Sequence, residues 1–85
     1  MQPYRLYYHE SVWLALPGLK EGDRRSVVSF CRAVANNPFL ESDYTESGES
    51  GASWQCVLRE GWAIVYYVDH ATREMKIGRI QRPDH

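Results

Sequence analysis

The apolar positions along the chain change period three times, and each change marks an element. Tyr4 to Tyr8 is a short aromatic-rich run and reads as a strand. From Glu10 to Leu16 the spacing switches, with Val12, Trp13 and Leu16 on one face of a short helix. Pro17-Gly18 ends or bends it, because proline lacks the backbone donor and glycine frees the chain. A second helix follows, with Asp23 as the expected N-cap. Val27, Phe30, Cys31, Val34 and Ala35 form its apolar stripe, while Arg24, Arg25, Ser29 and Arg32 fall mostly on the opposite face. Asn36-Asn37-Pro38 stops it.

Glu41 to Ser53 is acidic and rich in Ser and Gly, and reads as a loop with Tyr44 as its anchor. Strict alternation begins at Trp54: Trp54, Cys56 and Leu58 on one face, Gln55, Val57 and Arg59 on the other. Glu60-Gly61 is a two-residue turn. Trp62 to Val68 is nearly continuous in apolar residues, which predicts a central strand covered on both sides. Asp69 to Arg73 is a loop, Met75 to Ile80 a last strand with a bulge at Gly78, and Gln81 to His85 a polar tail. The order β-α-α-β-β-β predicts one α+β domain over residues 1–85, with a helical hairpin on one face of a small antiparallel sheet. The other face, expected to carry Arg59 and Arg79, is left to solvent or a partner.

Composition narrows what such a domain does. The 85 residues fit a single thin core, since a chain this short buries roughly 60–65% of its unfolded surface. The net charge of -1 supplies no global attraction to phosphate, so nucleic-acid binding requires a local basic cluster. Cys31 and Cys56 sit in apolar segments without CxxC spacing and read as buried thiols of a reducing cytosol. Met1 to Tyr4 lacks the charged and long apolar parts of a leader, and no apolar run approaches the ~20 residues of a membrane span. His9 and His70 have no ligand partners at useful spacing, so neither a metal nor a cofactor is expected. No phosphate-cradling glycine loop or Ser-His-Asp arrangement is legible.

The strand YRLYY, the segment NNPFLESDY and the run WQCVLREGWAIVYYVDHATREMKIGRI together resemble the RelE/ParE superfamily of toxins from type II toxin–antitoxin systems. AIVYYVDHATREMKI carries most of it, being similar to the central-strand pattern of plasmid-stabilisation proteins in that superfamily. The resemblance implies a cytoplasmic growth inhibitor that a cognate antitoxin masks. Its target is the ribosome with its mRNA, cut without a metal, or DNA gyrase; some relatives are inert remnants that only bind antitoxin. For the nuclease alternative the resemblance points to Arg59, Arg79, Arg82 and His85. Gln55, Val57 and Ala63 stand where such nucleases tend to carry cations, and no tyrosine follows the last strand, so the catalytic set is sparse. Ala52 replaces the arginine of a common Gly-Arg pair, through drift or through an alteration that blunts toxicity. Tyr67 points away from Tyr66 and is a candidate partner anchor. Tyr4 and Tyr8 are further anchors on a first strand suited to β-addition, to homodimer pairing or to a toxin–antitoxin hetero-oligomer.

Overall fold

The computed structural model describes residues 3–47 and 53–82. Ala52 and His85 lie outside them. Five strands form one sheet: β1 (Arg5–Tyr8), β2 (Tyr44–Ser47), β3 (Ser53–Arg59), β4 (Trp62–Asp69) and β5 (Glu74–Gln81), in spatial order β1-β5-β4-β3-β2. Two helices, α1 (Glu10–Ala15) and α2 (Glu21–Ala35), are joined through a 3₁₀ turn at Leu16–Gly18. Both pack on one face, as the sequence pattern predicts.

Three details of the ladder differ from that reading. The segment expected to be a loop contains β2, every residue of which is exposed. It pairs antiparallel with β3 from Tyr44 opposite Cys56 to Ser47 opposite Ser53. Tyr and Thr suit a strand, but an edge with both faces wet shows no apolar alternation. Second, β1 runs parallel to β5, with Arg5 opposite Glu74 and Tyr8 opposite Ile77, so the sheet is mixed rather than antiparallel. Third, α2 begins at Glu21, with Lys20 at the cap position and no side-chain cap. Asp23 lies inside the first turn, where it and Glu21 complement the helix dipole.

The hairpin and bulge signals hold. Glu60 and Gly61 both have positive φ, at 51° and 82°, as a two-residue turn between twisted strands requires. Val65 pairs with Arg79 and Tyr66 with Ile77, leaving Gly78 as the extra residue of a bulge. β4 occupies the middle of the sheet, and Trp62 to Tyr66 are all buried.

The main core lies between the layers. Val12, Leu16, Val27, Phe30, Cys31 and Val34 meet Val57, Trp62, Ile64, Tyr66, Met75 and Ile77. A smaller cluster of Cys56, Ala63 and Val65 sits on the helix-free face under Trp54. Gly78 makes room for that indole: a Cβ there would lie 2.7 Å from Trp54 Cζ3.

Candidate functional site

Strand alternation sorts the candidate residues between the two faces. Val57 belongs to the helix-packed core, and Arg59, two residues on, points the same way. Its guanidinium lies 5.8 Å from the centre of the Phe30 ring on α2. The expected position of Arg59 on the helix-free face is therefore corrected. The large apolar side chains of Trp54, Cys56 and Leu58 suggest a core face, but here they cover the smaller open-face cluster.

Arg82 joins Arg59 on the helix side. Its guanidinium stacks 4.7 Å from the Trp62 ring centre, and its Nη2 donates to Asp23 Oδ1 at 2.7 Å. The end of β5 is thereby tied to the first turn of α2. Arg79 points the other way, and its Nη2 donates to Glu46 Oε1 on β2 at 2.8 Å. The sheet separates Arg79 from Arg59 and Arg82, so these three cations do not converge on one point.

The helix-free face has a different character. Tyr67 is half-buried beside Trp54, with ring centres 5.8 Å apart. Around this pair stand the exposed side chains of Tyr7, Tyr44 and Leu58. Charge on the face is close to balanced: Arg79 meets Glu46, and Arg5 stands 3.9 Å from Glu74. The result is an aromatic and aliphatic surface with a neutralised rim, suited to an apolar protein segment. Tyr7, Tyr44 and Leu58 are not legible in the sequence as part of one surface, because alternation within a strand does not tell which residues of other strands share its face.

The two other tyrosine candidates are occupied within the molecule. Tyr4 is buried, and its hydroxyl makes a 2.9 Å hydrogen bond with His70 Nδ1. His70 in turn stacks on Phe39, with ring centres 4.6 Å apart and planes 9° from parallel. This cluster pins the linker after α2 to the β4–β5 turn and borders a groove of about 490 Å³ that Gln55, Tyr66 and Tyr67 also line. Tyr8 faces the helices, edge-on to Trp13. On β1 the exposed ring is Tyr7.

Ionisation follows burial. Desolvation pushes the Cys31 thiol up to about 12, against the smaller opposing effect of the Tyr8 hydroxyl. Burial also raises Cys56, Tyr8 and Tyr66. Asp69 is held below the usual carboxylate range because the backbone N–H of Thr72, with that of Ala71, donates to it across the β4–β5 turn. Among the described residues no group of three potential ligands is placed to hold a metal ion, and no helix is long and apolar enough to cross a membrane.

No protein-family model and no curated protein sequence matches the chain. Solved structures do. The toxin–antitoxin complex RelBE2 from Mycobacterium tuberculosis superposes with a TM-score of 0.76 at 18% identity, over 96% of this chain and 93% of that one. This chain has the RelE fold. The archaeal RelE–RelB complex from Pyrococcus horikoshii OT3 gives a TM-score of 0.74 at 18% identity, over 95% and 96% of the two chains. The isolated RelE toxin of E. coli gives 0.76 at 14% identity, over 96% and 86%. RelE likeness therefore spans both layers, including the parallel β1 and the edge strand β2.

Proposed function

We propose that this chain is a RelE-like toxin of a type II toxin–antitoxin pair, masked by a cognate antitoxin in the cytoplasm and acting on translation. The observation that carries this reading is likeness over nearly the full length of both chains to RelE structures, two of them complexes with an antitoxin. The helix-free face offers a masking segment its anchors in Trp54, Tyr67, Leu58 and Tyr44.

The action is inhibition by binding. Metal-free RNA cleavage needs a base, an acid and cations gathered around one phosphate. Here Arg59 lies over Phe30, Arg82 is held by Asp23 and Trp62, and Arg79 is engaged by Glu46 on the opposite face. A set of guanidinium groups divided between the two faces, two of them held by carboxylates, supports occupancy of the translation machinery over strand scission.

Inducible expression tests both parts. The expected result is growth arrest with mRNA intact on ribosomes, relieved by co-expressing a cognate antitoxin. Absence of arrest removes the toxin reading. Arrest with mRNA cut on ribosomes, abolished by Arg79→Ala or Arg59→Ala, replaces binding with an endoribonuclease. Arrest with DNA damage and continuing protein synthesis moves the target to gyrase.

A further inference from the structure

The two edges of the sheet are finished differently. At one edge β2 is polar beyond Tyr44, and its Glu46 is engaged by Arg79. Where β2 stops short of the end of β3, the Asp43 carboxylate accepts the backbone N–H of Leu58 at 2.8 Å and closes the ladder with a side chain. At the other edge β1 has no such cover. It runs Arg5-Leu6-Tyr7-Tyr8, without proline, lysine or a bulge to blunt it. Arg5 and His9 donate their backbone N–H groups to Arg73 and Ile77 on the β5 side. Alternation then turns the N–H and C=O groups of Leu6 and Tyr8 outward, where no backbone of the described residues pairs with them.

The side chains beside this open edge are apolar and wet. Tyr7 is 43% exposed on the helix-free face. On α1, which follows β1 directly, Trp13 is 60% and Leu14 74% exposed. Trp13 lies edge-on to Tyr8, with ring centres 5.7 Å apart, and so flanks the strand on the helix side. Unpaired strand backbone and large exposed rings thus meet at one end of the sheet, away from the Trp54–Tyr67 pair.

We propose that this edge takes a second copy of the chain, the two β1 strands pairing antiparallel about a twofold axis at Tyr7. In that register Leu6 of each copy lies opposite Tyr8 of the other. Leu6 and Tyr8 are the residues whose backbone groups face outward, so four N–H···O=C bonds satisfy all of these groups at once. Tyr7 meets its own counterpart at the closer, non-hydrogen-bonded position, where ring pairs contribute most. Charge fits as well. The Arg5 side chain, 72% exposed, falls opposite His9 and next to Glu10 of the second copy, so opposite charges meet at both ends of the seam. The axis stands perpendicular to the sheet, which leaves both helix layers on one side and a Trp13 flanking the seam from each copy. Covering Arg5, Tyr7, Trp13 and Leu14 twice removes on the order of 1,000 Å² from water, the lower limit for a specific interface. The dimer is therefore weak, with a Kd on the order of 10 µM. None of this depends on the toxin reading.

The test is sedimentation equilibrium of the purified full chain from low-micromolar to near-millimolar concentration. A monomer–dimer equilibrium is expected. Tyr7→Glu sets two like charges face to face at the axis and weakens the dimer by at least about tenfold. Tyr7→Lys does the same with the opposite sign. A one-to-one mixture of the two variants restores association, because glutamate then faces lysine. Thr45→Glu, on the β2 edge, leaves the equilibrium unchanged. Far-ultraviolet circular dichroism matching the parent verifies that each variant is folded. A monomer at every concentration overturns the proposal. So does a dimer that tolerates both Tyr7 variants, or one that Thr45→Glu disrupts. Two monomeric Tyr7 variants that fail to associate when mixed overturn it too, since the register requires Tyr7 to face itself.

Discussion

At the scale of single residues, the contact between Gly78 and Trp54 is the most sharply constrained. Gly78→Ala places a carbon inside the indole's space, and overpacking of this kind costs about 1–3 kcal/mol. Chemical denaturation is expected to show that loss, and to show it largely absent in a Trp54→Ala background, because the clash needs both partners. The cysteines give a second residue-scale expectation. With the Cys31 thiol raised to about 12 and Cys56 raised as well, almost no thiolate forms near neutral pH. Both should alkylate slowly in the folded protein at pH 8 and quickly once denatured, with the folded rate climbing as pH rises. Equal rates in the two states would contradict the burial of both side chains. Alternation along β3 is legible from the sequence and groups Arg59 with Gln55 and Val57. Which of the two sets meets the helices is not legible from bulk, because Trp54, Cys56 and Leu58 outweigh Val57 and yet cover the smaller open-face cluster.

At the scale of elements, the chain advertises what its apolar periodicity controls. The α2 stripe, the β3–β4 hairpin with its glycine turn, the covered central strand and the bulge are visible because burial dictates each. β1 is held by backbone hydrogen bonds to β5, a strand distant in sequence, and β2 pairs with its neighbour β3 along an edge exposed on both faces; side-chain pattern encodes neither. The same limit hid the clamp between Arg82 and the start of α2, which joins residues 59 positions apart. That clamp combines a half-exposed ion pair with a stacked guanidinium. Arg82→Ala is expected to cost about 1 kcal/mol by thermal or chemical unfolding. Arg82→Lys should recover only part, because an ammonium lacks the planar fork. If Arg82→Ala unfolds at the wild-type midpoint, the end of β5 is not fastened to the helix layer.

For the whole molecule, the two outer faces differ in character. The helix-free face is aromatic and nearly neutral, and the outer face of α2 is basic. The two-layer fold was readable from the order of elements, while the placement of charge on it was not. Arg59 meets α2 only when the β3–β4 turn brings it alongside a helix that precedes it by more than twenty residues.

The parallel pairing of β1 with β5 sets the timetable of synthesis. Arg5 finds its place opposite Glu74, so the first strand to leave the ribosome has no neighbour until the last one has followed it out. A nascent chain therefore cannot close its sheet while it is still being made. The complete fold comes into being only after translation has passed the strand that finishes the sheet.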